Sequence, residues 1–109
     1  MSRSKRTAGD DELGRFSEPA LLILGCLAAG ASHGYAIMKE VERVHGTRLG
    51  AGTLYGAMGR LEQLEYIVHT GESERRQLFR ITPAGRRILG NGVTQLRDLL
   101  QAVKTLSTR

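Results

Sequence analysis

The sequence predicts a mainly α domain with one small β-hairpin and a long helix at its C-terminal end. Three observations point there. Apolar residues recur at helical spacing in three successive stretches between Ser17 and Leu64. The pattern then changes: Ile67–Thr70 is β-prone and Gln77–Ile81 alternates, on either side of the polar turn Gly71–Glu74. After Thr82-Pro83 the helical spacing returns and persists for about two heptads.

A chain of 109 residues holds one small domain and an extra element for partner contact. The pattern divides it into a flexible arm at 1–15, a helix-and-hairpin domain at 16–82 and a C-terminal helix at 83–109. The net charge is +5 and the pI about 10.0, with Arg outnumbering Lys. That balance favours a polyanionic partner, and the guanidinium fork suits phosphates and guanine edges. Cys26 is the only cysteine, so no internal disulfide forms. It sits in the apolar run Ala20–Ala28, where a small buried hydrophobe is the plain reading and a redox sensor the other. The run is too short to span a bilayer and is not placed as a signal peptide, so a cytoplasmic, soluble protein is expected, with no membrane contact.

The arm carries Arg3, Lys5 and Arg6 and then Asp10, Asp11 and Glu12. It reads as a mobile terminus, or as an arm that tracks a DNA backbone or enters a minor groove. Ser17 caps the first helix, with Glu18 and Pro19 in its first turn. Leu21, Leu24, Leu27 and Ala28 form its apolar face, widened by Leu22 and Ile23, and it stops near Gly30. Ser32 is the expected cap of the second helix, whose apolar positions are Tyr35, Ile37, Met38, Val41 and Val44. Lys39, Glu40, Glu42 and Arg43 face water, and Gly46 ends it. The third helix covers Ala51 to Leu64. Leu54, Met58, Leu61 and Leu64 line one face, leaving Thr53, Tyr55, Gly56, Gly59 and Arg60 on the others. An interior glycine costs up to ~1 kcal/mol relative to alanine, so this is either an ordinary surface helix of poor propensity or one whose two glycines allow close approach to something outside, a DNA groove being one candidate. The hairpin follows, with Arg75 and Arg76 at its base. Thr82 caps the last helix and Pro83 takes its first position. Leu89, Val93, Leu96, Leu100 and Val103 repeat in steps of four and three, and Leu99 and Leu106 widen that seam. Such a stripe either folds back on the body or packs on another copy.

No catalytic constellation is present. His33, His45 and His69 are far apart and lack metal-ligand spacing. There is no P-loop, and Gly50-Ala51-Gly52 is a lone GxG without a preceding strand. The sequence therefore implies no enzyme, no metal and no cofactor.

Helix, helix, helix, two-stranded hairpin, helix is the order of a winged helix-turn-helix. The stretches Ser17-Glu18-Pro19-Ala20-Leu21-Leu22-Ile23-Leu24-Gly25, Ser32-His33-Gly34-Tyr35-Ala36-Ile37, Gly52-Thr53-Leu54-Tyr55 with Arg60-Leu61-Glu62, and Phe79-Arg80-Ile81-Thr82-Pro83-Ala84-Gly85-Arg86 closely resemble the PadR family of bacterial transcriptional regulators. The resemblance runs from about Phe16 to Leu106 and is nearest the compact subgroup with a single C-terminal helix. It implies a homodimeric transcriptional repressor that binds double-stranded DNA. The last helix would form the dimer, often aided by the first, through Leu89, Val93, Leu96, Leu100 and Val103. The third helix would read the major groove and the wing would lie on the backbone or minor groove. On that basis Ser32, His33, Tyr35, Lys39, Thr53, Tyr55, Gly56 and Arg60 are the candidates for DNA contact, with Arg75, Arg76 and Arg80 on the wing. His33 has a second reading, support of the turn by a backbone hydrogen bond, and Tyr35 another, packing between helices. Some relatives release DNA on binding a phenolic compound or a drug; here the effector is unknown, and the last helix contains no aromatic residue to stack one. Glu65-Tyr66-Ile67 stands where the family commonly has Gly-Leu-Ile, so the usual glycine cap of the third helix is missing. The alternatives are a winged helix used for protein contact and a sequence-independent DNA-binding protein.

Overall fold

A computed structural model describes residues 18–46, 49–70 and 77–109. Four helices and three short strands follow in the order α1 (Glu18–Ala28), β1 (Ser32–His33), α2 (Gly34–His45), α3 (Ala51–Gln63), β2 (Ile67–His69), β3 (Leu78–Ile81) and α4 (Pro83–Ser107). The expected N-cap Ser17 lies outside the described residues, as do the arm and the hairpin tip.

The core forms where the apolar faces of these elements meet. Ile23, Leu24 and Leu27 of α1, Ile37 and Val41 of α2, Leu54, Met58 and Leu61 of α3, and Ile67, Phe79 and Ile81 of the sheet are all buried. Helix α1 is central, touching α2, α3, β3 and α4. Burial of a Leu or Ile side chain contributes ~1.5–3 kcal/mol over leaving it exposed, so this shared core holds three helices and a small sheet at fixed angles.

The sheet has a strand the hairpin pattern does not predict. Its order is β1-β3-β2, antiparallel throughout, with Ser32 opposite Phe79 and Ile67 opposite Ile81. Ser32 therefore belongs to a strand. The N-cap of α2 is His33, in extended conformation and without a side-chain capping bond, which corrects the assignment of Ser32 as the cap. Two of the apolar positions assigned to α2 are also corrected: Tyr35 and Val44 are each 64% exposed, since the face turned to the core is a narrow one of Ile37 and Val41 with Met38 at its edge.

The end of α3 is built without glycine. Tyr66 N–H donates to Leu61 O and Glu65 N–H to Glu62 O, both at 2.9 Å, the paired bonds of a Schellman cap. Glu65 takes the left-handed conformation, φ 65°, that glycine takes more cheaply. Thr82 locks this turn to the next helix. Its hydroxyl donates to Glu65 O at 2.8 Å and accepts from Gly85 N–H at 3.0 Å, while its own N–H donates to Tyr66 O at 3.1 Å. Gly85 is required there, because a Cβ would run into the Tyr66 carbonyl. Glu65→Gly is expected to raise stability by about 0.5–1 kcal/mol, the left-handed strain of ~1–2 kcal/mol less the added unfolded-state entropy. A shift of the urea midpoint at constant slope checks it.

Candidate nucleic-acid interface

Helix α3 turns Leu54, Met58 and Leu61 into the core, which fixes what it turns out. Gly52, Thr53, Tyr55, Gly56, Gly59, Arg60 and Gln63 are exposed. Among the described residues, a Cβ placed on Gly52, Gly56 or Gly59 would meet nothing within 4 Å outside its own stretch of helix. The outer face of α3 is thus slim and open at its glycines. Arg60 supplies the only basic side chain in its last turn.

Tyr55 does more than project outward. It is 50% exposed, yet its ring lies against the start of α2, where a Cβ on Gly34 would stand 2.7 Å from the Tyr55 hydroxyl oxygen. Gly34 is buried and lets α3 approach the first turn of α2. The Gly34-Tyr35 and Leu54-Tyr55 pairs, read from sequence as separate motifs, meet here.

The candidates on α2 and β1 lie around that contact. Ser32 and His33 are half-buried in β1. The His33 ring is hydrogen-bonded through Nδ1 to the backbone carbonyl of Gln77 at 3.3 Å. This is a backbone bond as anticipated, but it reaches across to the wing base instead of supporting the local turn. Tyr35 is exposed, and the Lys39 ammonium lies 5.8 Å from its ring centroid. Lys39 also stands 3.9 Å from Glu42, while Arg43 forks onto Glu40 at 2.6 and 3.2 Å. That fork holds the Glu40 carboxyl below its ordinary range. Such surface pairs contribute little to stability.

On the wing, Arg80 is exposed on β3 opposite Val68. Arg75 and Arg76 lie outside the described residues. At the wing base His69 Nδ1 stands 2.6 Å from Glu62 Oε2 at the end of α3, a tie for which the sequence carries no spacing signal.

Helix α4 is capped by Thr82 as the sequence predicts and runs for 25 residues. In its first half Gly92 lies close to α1, where a Cβ would stand 2.9 Å from Leu21 Cδ2. Leu89 is partly buried against the core of its own chain, so it belongs in part to the domain. From Val93 onward every residue is exposed, including Leu96, Leu99, Leu100, Val103 and Leu106.

A groove of about 550 Å³ runs between α1 and α2, lined among others by Leu21, Leu22, Cys26 and Val44. Burial, and secondarily the nearby Glu40 carboxylate, pushes the Cys26 thiol up, which disfavours the reactive thiolate. Among the described residues no group of three or more His, Cys, Asp or Glu could hold a metal ion, and no helix is long and apolar enough to cross a membrane.

Three helices on a shared core, a small sheet with a wing, and a third helix whose outer face is open define a winged helix-turn-helix fold. Comparison with known proteins gives the family. A family model described as the transcriptional regulator PadR-like family matches residues 23–91. The chain is 35% identical over 86 residues to a transcriptional regulator of Mycobacterium tuberculosis, covering 76% of this chain and 79% of that one. It is 45% identical over 75 residues to an uncharacterized protein in a transposon of Streptomyces fradiae, covering 69% of this chain but only 22% of that protein's length. Among solved structures, a transcriptional regulator from Clostridium thermocellum superposes with a TM-score of 0.73 at 28% identity, covering 80% of this chain and 87% of that one. A PadR family regulator from Clostridium difficile gives 0.74 at 23% identity, covering 83% and 98%, a likeness of fold. The chain belongs to the PadR-like family of transcriptional regulators.

Proposed function

We propose that the protein is a homodimeric repressor that binds a two-fold-related DNA operator through α3 and the wing. The observation that carries this reading is the outer face of α3. It is exposed, open at Gly52, Gly56 and Gly59, and bears Thr53 and Arg60, so its backbone can approach a groove closely. The exposed stripe on α4 supports pairing of two copies, and a closed pair presents two equivalent reading heads. Ser32, His33, Tyr35 and Lys39 would contact the backbone beside α3, and Arg75, Arg76 and Arg80 would hold phosphates along the wing.

Footprinting on the DNA upstream of the protein's own gene tests the reading. The expected result is a protected region with two-fold symmetry, half-site centres ~10 base pairs apart or a multiple of that, so that both heads meet one side of the duplex. Protection without two-fold symmetry overturns the paired-head reading. Equal affinity for this fragment and random duplex overturns operator recognition.

A further inference from the structure

A side-chain pair ties the wing base to the end of α3. Glu62 lies in the last turn of α3 and His69 ends β2, the last strand residue before the wing tip. Their Nδ1–Oε2 distance is 2.6 Å. An ionised carboxylate only accepts, so His69 carries its proton on Nδ1 and donates it to Glu62. A second contact fixes the ring: His69 lies opposite Phe79 in the sheet register, and the two ring centroids are 5.8 Å apart at 58°. Phe79 is buried in the core, so the imidazole is held between a rigid ring and the helix end. One residue further on, Thr70 N–H donates to Leu78 O at 2.7 Å, closing the described part of the hairpin. On the other strand the His33 ring is bonded to Gln77 O.

From this geometry we infer that Glu62 and His69 are a positioning pair that sets the angle of the wing to the reading helix and thereby tunes operator affinity. The inference rests on the reading of α3 and the wing as the DNA-binding elements. The pair is well suited to orientation and poorly suited to stability. The Glu62 and His69 side chains are 38% and 43% exposed, and an ion pair that open to water contributes little to stability. Helix and wing must meet one duplex together, so an error in their relative angle is felt in binding even where the fold is unchanged.

The charge of Glu62 makes the test discriminating. Removing a carboxylate near DNA strengthens binding by electrostatics alone, whereas loss of positioning weakens it. The variants are Glu62→Ala, His69→Phe, the two combined, and His69→Asn. Phenylalanine keeps the ring packing on Phe79 and loses the donor. Asparagine places an amide N–H near the position of Nδ1 and loses the ring. Binding is measured to a duplex from upstream of the protein's own gene and to random duplex, together with thermal unfolding. The expected result is a loss of about fivefold to tenfold in affinity for the upstream duplex in Glu62→Ala, in His69→Phe and in the double variant alike, because each breaks the same coupling. Affinity for random duplex should fall less, His69→Asn should recover most of the loss, and the thermal midpoints should stay within about 4 °C. Unchanged or tighter binding by Glu62→Ala, additive losses in the double variant, or losses that follow the thermal midpoint would overturn the pairing. Wild-type protein that binds no DNA would overturn the parent reading together with it, while wild type that binds as well as the variants overturns the pairing alone.

Discussion

Replacing Leu96 and Leu100 together by glutamate is expected to leave a folded monomer and to lower operator affinity by about 10²–10⁴-fold. Both residues are more than half exposed on α4, at 55% and 56%, so in the separated chain the new carboxylates remain in water and the core is untouched. In a pair of copies joined along α4 the same carboxylates would be buried at the contact. Removing charge from water without a partner is expensive enough to prevent association. The DNA effect follows from valency. Two linked heads convert the second binding event into an intramolecular one, and that advantage of ~10²–10⁴ disappears when the heads are separate. Light scattering checks the oligomeric state, circular dichroism the helix content, and a gel shift the affinity. Thr105→Glu, on the other side of α4 from Leu96 and Leu100, should change none of these. If the unmodified protein is already monomeric at micromolar concentration, the stripe has another role.

The order of elements is legible because each buried face is written as a period. Leu54, Met58 and Leu61 read as one helical stripe and are buried, and Phe79 and Ile81 read as one strand face and are buried. Local chemistry is legible too. Gly46 ends α2 in the left-handed conformation with φ 83°, and Thr82 caps α4. Strand β1 is not legible, because two residues show no period and Ser32-His33 becomes a strand only by pairing with β3 far along the chain. The exposure of Tyr35 and Val44 is hidden for a related reason: periodicity marks which residues can face a core, and the width of the covered face depends on what packs there. Glu65 shows the opposite case. Its sequence lacks the glycine of the expected cap, yet the Thr82 hydroxyl and the close approach at Gly85 hold the turn, so tertiary contacts outweigh local preference. Of the candidate site, the open face of α3 can be read from the spacing of Thr53, Gly56, Gly59 and Arg60. The meeting of Tyr55 with Gly34 and of Glu62 with His69 cannot, since each joins elements whose approach is set by the core.

Arg60→Ala is expected to reduce operator affinity strongly while affecting random DNA much less. Arg60 is exposed in the last turn of α3, and each of two symmetric heads would present one copy. A guanidinium forked onto a guanine edge discriminates by ~1–3 kcal/mol, so losing both contacts of a dimer removes ~2–6 kcal/mol of specificity where the two sites act independently. Its competing role is structural, with the aliphatic stem and charge holding the helix to its surroundings. That role predicts equal losses on operator and random duplex and a lower thermal midpoint. Glu62, the acid two residues on, has its Oε2 bonded to His69 at 2.6 Å, so the anchoring of the helix end does not rest on Arg60 alone. Gly56→Leu probes the same surface from the opposite direction. Beyond the helix's own backbone and its chain neighbours, no atom of the described residues lies within 4 Å of a Cβ at that position, so the leucine projects outward without strain on the core, and an exposed leucine in place of glycine favours the helix by up to ~1 kcal/mol. The fold should therefore be as stable as wild type or slightly more so, while the added side chain keeps the helix backbone away from the groove and weakens operator binding. Footprinting and thermal unfolding of both variants decide the matter. A Gly56→Leu protein that is stable and binds the operator as tightly as wild type would place the contact surface elsewhere than on this face of α3.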